Sequence, residues 1–179
     1  MITDRTPNFC FITPIPLLEQ FAIQSRKHLC LAHLVAKSPD MYGAFYKRMR
    51  ERGDYIIMDN SAFELGASYN PTDLLRLGAI CGANAIVLPD YPGQPWQKTV
   101  DAANQWIYYF KDAGFDTFFA PQSTKGDLAG WLESYEFGAN NEGIDIIGMS
   151  ILGIPNALPH IPAAYARVIM TQLLQTLDK

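Results

Sequence analysis

Asp59, Asp90, Gln122 and Ser150 each stand where a run of apolar residues stops. Tyr55-Ile56-Ile57-Met58 ends in Asp59-Asn60-Ser61, and Ala85-Ile86-Val87-Leu88-Pro89 ends in Asp90. Thr117-Phe118-Phe119-Ala120-Pro121 ends in Gln122, and Ile144-Asp145-Ile146-Ile147-Gly148-Met149 ends in Ser150. A carboxylate in such a place is shielded on one side and open on the other. It can act as general acid or base or as nucleophile, or accept from the N–H groups of a ring. Two carboxylates sharing one pocket push their pKa values apart, which suits a site that must both give and take protons. Pro89 and Pro92 fix the backbone around Asp90. The amide of Gln122 offers one acceptor and two donors, enough to read a heterocycle edge. Asn60 and Ser61 follow Asp59 directly, and Phe63 could stack on a planar ligand. Gly148 and Ser150 are small enough to let a flat ligand approach the backbone. His33, after the apolar Leu29-Cys30-Leu31-Ala32, is either a structural hydrogen bonder or a proton carrier. The competing readings are structural: Asp59 capping a loop, Phe63 in the core, Gln122 tying a loop.

These residues need elements to place them. Short apolar runs alternating with helical patterns predict βα units and a parallel sheet, whose strands all open at their carboxyl ends on the same side. Asp59, Asp90, Gln122 and Ser150 are therefore expected to converge on one pocket. Asp59 to Asp90 is 31 positions and Asp90 to Gln122 is 32, about one βα unit. Strands are expected near 8–13, 29–33, 54–59, 85–89, 116–120 and 144–149. Ser38-Pro39-Asp40 starts a helix with Met41, Phe45 and Met49 on its inner face and Gly53 as its stop. Further helices are expected from Asn70 to Gly82, from Trp96 to Ala113, near 125–137, and after a Pro-rich loop (Pro155, Pro159, Pro162) on Val168, Ile169, Leu173, Leu174 and Leu177.

The chain of 179 residues suits one α/β domain spanning 1–179. Five or six βα units fall short of a closed (β/α)8 barrel, which needs about 250 residues. An open α/β sheet or an incomplete TIM-barrel-like sheet is expected, with the late strands missing after Lys179. No apolar run approaches the roughly 20 residues that span a bilayer, so no membrane role is expected, and the cytoplasm is the default location. Cys10, Cys30 and Cys81 show no metal spacing and read as buried reduced thiols. No metal and no cofactor is expected. A net charge of -4 speaks against a generally basic surface. Arg26, Lys27, Lys37, Lys47, Arg48, Arg50 and Arg52, against only Asp40 and Glu51, nevertheless form a basic stretch that could hold phosphates or be a solvated helix face. GxGxxG, P-loop, GxSxG and HExxH motifs are absent.

Asp59-Asn60-Ser61-Ala62-Phe63-Glu64 resembles the Asp-Ser-Gly-Gly-Phe-Gln motif of tRNA-guanine transglycosylases, and still more the Asp-Asn-Gly-Ala-Phe-Glu form of phage-type relatives that act on DNA. Leu31-Ala32-His33-Leu34, Val87-Leu88-Pro89-Asp90, Ala120-Pro121-Gln122 and Ile147-Gly148-Met149-Ser150 follow in that family's order. The resemblance covers about residues 28–175. It implies a (β/α)8 barrel and base exchange, in which guanine leaves C1′ and a 7-deazaguanine such as preQ0 takes its place. Asp59 would be the general acid or base, and Asp90 would accept from the purine's amidine edge. Gln122 and the backbone at Gly148 would read the carbonyl side. The implied partners are guanine or a 7-deazaguanine base and DNA in preference to tRNA. The basic helix from Lys47 to Arg52 could grip the backbone of a flipped base. Ser61-Ala62 replaces the Gly-Gly pair. The family's nucleophilic aspartate lies on a late strand beyond the last helix seen here and is expected to be absent from this chain, and the family's zinc cysteines have no counterpart either. The chain would then be a base-exchange enzyme, or a base-binding module needing a second chain or a second copy of itself to complete the barrel. A third reading is a nucleoside- or sugar-processing hydrolase working with Asp59 and Asp90.

Overall fold

A computed structural model describes residues 10–177. Six parallel strands form one sheet in the order in which the chain makes them: β1 (Cys10–Phe11), β2 (Lys27–Leu31), β3 (Tyr55–Asp59), β4 (Ala85–Val87), β5 (Asp116–Phe119) and β6 (Ile146–Ile147). Right-handed crossovers between strands added always on the same side put the helices on one face and curl the sheet into a half-barrel. The helices are α1 (Ala32–Lys37), α2 (Ala44–Glu51), α3 (Ala62–Leu65), α4 (Pro71–Cys81), α5 (Trp96–Asp112), α6 (Leu128–Asn140), α7 (Gly153–Ala157) and α8 (Ala163–Thr176).

Strand alternation divides the core in two. Cys30, Ile56, Met58, Ile86, Leu88 and Phe119 face the helices and meet Tyr42, Phe45, Leu74, Leu77, Ile107 and Phe110. Ile57, Ala85 and Val87 face the other way, with Leu29, Tyr55, Phe118 and Ile146, and form the hollow of the sheet. Helix boundaries follow local chemistry. The Asn70 side chain accepts from Thr72 N at 3.0 Å, Pro71 supplies the first turn, and Gly82 closes α4 at φ 69°. Asp127 caps α6 by accepting from Gly130 N at 2.8 Å.

Several expectations change. The chain before α2 is a π turn, Pro39–Gly43, and Ser38 makes no side-chain cap. Met41 is exposed where Phe45 and Met49 are buried, because that turn rotates it off the helix's inner face. The first clear strand stops at Leu31, so His33 lies in α1 and not at a strand end. The Pro-rich loop contains a short helix, α7. Val168, Ile169 and Leu177 lie on the exposed side of the last helix and the residue after it, while Met170 and Leu174 carry the packing. Cys30 and Cys81 are buried thiols, but Cys10 on the edge strand is exposed. The part of the first expected strand before Cys10 lies outside the described residues. No helix among the described residues is long and apolar enough to cross a membrane.

Candidate functional site

The carboxyl ends of the strands open on a cleft of about 280 Å³. Leu29, Leu31, Val87 and Phe118 form its apolar floor; Asp59, Asn60, Asp90, Gln122, Gly148 and Ser150 stand around it, with Phe63 at the mouth. Residues from four separate βα units thus meet in one place. The floor is the inward row of the same strands whose outward row makes the core, and the polar ring is the next residue along each strand or the loop after it.

A chain of amides holds Asp90. Asn60 Nδ2 donates to Asp90 Oδ1 at 2.8 Å and to the Leu88 carbonyl at 2.8 Å. Gln122 Nε2 donates to Asp90 Oδ2 at 2.6 Å. Asn60 and Gln122 are each 1% exposed and Asp90 7%. Burial raises Asp90 from its ordinary pKa, and the two amide hydrogen bonds only partly offset that. Gln122 Oε1 has no partner, although it is buried. Gly153 explains how it fits, since a Cβ there would lie 2.8 Å from Gln122 Oε1.

Asp59 takes a different form of support. Its Oδ1 accepts from the Ser61 N–H at 2.7 Å. Burial is the main reason its pKa rises from 3.8 to about 6; the Ser61 bond opposes the rise, and the charges of Glu64 and Asp90 add to it. The two carboxylates are expected to push their pKa values apart; instead burial raises both, and the charge of Asp90 is the last of the causes at Asp59. Among the described residues neither Asp59 nor Asp90 takes part in a salt bridge.

Ser61 sits at φ 61°, ψ 23°, the left-handed region that glycine favours. Its hydroxyl accepts from the His33 N–H at 3.1 Å and lies 3.0 Å from His33 Nδ1. Ser61 and His33 stand behind the cleft, holding the loop that carries Asp59 and Asn60, and do not line it. Ser150 Oγ accepts from the N–H groups of Leu152 and Gly153 and turns the chain into α7. Gly148 has its N–H committed to the Phe119 carbonyl at 2.8 Å, so that amide does not face a ligand as the resemblance implied. Its role is steric: a Cβ at Gly148 would overlap the Phe118 ring on the cleft floor. The neighbouring Met149, whose N–H makes no hydrogen bond among the described residues, lines the cleft and was not anticipated. Met149 also packs against the cluster around Trp131 and Ile154, and an apolar residue in an apolar run gave no cue to its place in the cleft.

The basic stretch lies elsewhere. Arg26 precedes β2 and Arg52 precedes β3, at the amino ends of the strands, opposite the cleft. Arg26 and Arg52 bind Asp54, and Arg48 binds Glu19. None of Lys47, Arg48, Arg50 and Arg52 lines the cleft. No protein-family model matches this sequence, and no curated protein resembles it at a significant level.

Proposed function

We propose that the cleft binds a guanine-like base and that the protein is a base-exchange transglycosylase acting on DNA in preference to tRNA. The observation that carries this reading is the set of Asn60, Asp90 and Gln122 over an apolar floor. A buried carboxylate without a cation lacks a strong donor, and the amidine edge of a guanine or 7-deazaguanine supplies two adjacent N–H groups. An amide beside it can turn to meet a ring carbonyl. Phe63 covers the face of the ring, and Phe118 lies beneath. With a pKa of about 6, Asp59 exchanges a proton near neutral pH, as a general acid or base at the departing base must. The curled sheet, in this reading, is part of a (β/α)8 barrel. A second chain or second copy pairing with β1 or β6 belongs to the same reading, because among the described residues each of these strands has one neighbour only. A single-copy species in sedimentation velocity at working concentration would remove the self-association arm.

The test is transfer of radiolabelled preQ0 and guanine into duplex DNA and into tRNA. Label in DNA that depends on Asp59 supports base exchange. Release of free guanine from DNA or nucleosides with no label incorporated assigns hydrolysis to the same carboxylates instead. Base binding with neither reaction leaves a binding module.

A further inference from the structure

The base cleft does not end at Phe63. A second cavity of about 320 Å³ adjoins it, and the two share Ala62, Phe63, Asp90, Pro92 and Leu152 in their walls. Phe63 stands on the border, 71% exposed, so packing within the chain does not account for its size. The far wall is formed by Tyr91, Gln94 and Lys98. Among the described residues lining the two cavities, Lys98 is the only cation.

Lys98 is held by neutral groups. Its Nζ lies 4.2 Å from the centre of the Tyr91 ring and donates to Gln94 Oε1 at 2.7 Å. Among the described residues it forms no salt bridge, unlike Arg26, Arg48 and Arg52 at the other end of the sheet. An ammonium held by an aromatic face and an amide, and paired with no carboxylate, has further N–H donors for a ligand. Asp90 contributes to the shared wall, where its carboxylate is held by the Asn60 and Gln122 amides and faces the base in the reading above.

We propose that this second cavity is a phosphate subsite, in which Lys98 binds the phosphate of a nucleotide whose base occupies the main cleft. The proposal rests on the base-binding reading above. A free base needs only the first cavity; a nucleotide needs a flat apolar chamber with acceptors and, next to it, a cation. A lysine serves the phosphate as a point charge.

The experiment is equilibrium titration of guanine, dGMP and a short single-stranded oligonucleotide with one central guanine, using the full chain, Lys98→Ala and Lys98→Arg. The expected result is dGMP bound about tenfold more tightly than guanine, a difference of about one charge-assisted contact. Lys98→Ala removes that advantage, the loss falling on dGMP and not on guanine, and Lys98→Arg keeps it. If the phosphate belongs to a polymer, the slope of log affinity against log salt for the oligonucleotide falls by about 0.7 in Lys98→Ala. An unchanged slope with the dGMP effect intact assigns the subsite to a mononucleotide. Equal affinity for dGMP and guanine, or an equal loss of both in Lys98→Ala, overturns the subsite while leaving the base cleft standing. Failure of the unmodified chain to bind guanine or preQ0 overturns the base reading and the subsite with it.

Discussion

Asp54 and Asp59 stand at opposite ends of β3 and live under opposite rules. Asp54, whose side chain is 0% exposed, meets Arg52, His28 and Arg26, with His28 Nε2 at 2.8 Å and Arg26 at 3.0 Å. Burial alone would raise its pKa, but those hydrogen bonds outweigh burial and hold it at about 2. Asp59 and Asp90 at the other end have only amide and backbone donors, and burial raises both. The amino end uses its carboxylate to lock the start of the sheet. The carboxyl end keeps its carboxylates unneutralised, which costs stability and leaves them available to a ligand or a proton.

The largest effect belongs to the locked end. Asp54→Ala takes the acceptor from the buried His28 Nε2 and leaves Arg52 only the Ile23 and Ser25 carbonyls, and should cost about 3 to 5 kcal/mol in denaturant unfolding. A loss under 1 kcal/mol would mean that the network is ornamental and the comparison wrong. At the open end the same kind of change should spare the fold. Asp90→Asn keeps the shape, and Gln122 can turn its amide to accept from the new one. Unfolding stability should stay within about 1 kcal/mol, while guanine affinity falls by about a hundredfold, or roughly 2.7 kcal/mol. Calorimetric titration showing undiminished affinity would move the base elsewhere.

The third prediction uses pH. Asp59, raised when folded, holds its proton more firmly in the folded chain, so stability falls as pH rises from about 4 to about 6. Asp54, lowered when folded, contributes stability that is present above about pH 3.8 and is lost as pH falls through about 2. Asp59→Asn should therefore reduce the slope between pH 4 and 6 and raise stability above pH 6 by about 3 kcal/mol. The acid limb below pH 4 should remain. Because burial raises Asp90 as well, part of the slope remains in Asp59→Asn; a slope of undiminished size would show that Asp59 does not titrate there.

Much of this arrangement could be read from the residue pattern, for a physical reason. A parallel sheet covered by helices needs apolar runs, and such runs end abruptly, so Asp59, Asp90 and Gln122 announced the carboxyl ends of β3, β4 and β5. What stayed hidden depends on distances across the fold. Nothing local marks Gly148 as making room for Phe118 or shows that its N–H is taken by Phe119. Arg52 and Asp54 are sequence neighbours, yet only the sheet brings Arg26 and His28 to them, so the basic stretch read as a free surface. His33 misled because Leu31 and Ala32 are apolar in a strand and in a helix alike; Ala32 already belongs to α1.

The sequential strand order has a consequence for how the chain reaches this state. Ile57 pairs with Ala85, 28 positions on, and Ile86 with Thr117, 31 positions on. Loop-closure entropy grows only with the logarithm of loop length, so each strand joins at nearly the same entropic cost as the one before. Parallel sheets are slow to form when their partners are remote in sequence. No pairing among the described strands waits for a distant segment, and the sheet can grow in the direction of synthesis, each new unit docking on the edge that the last one left.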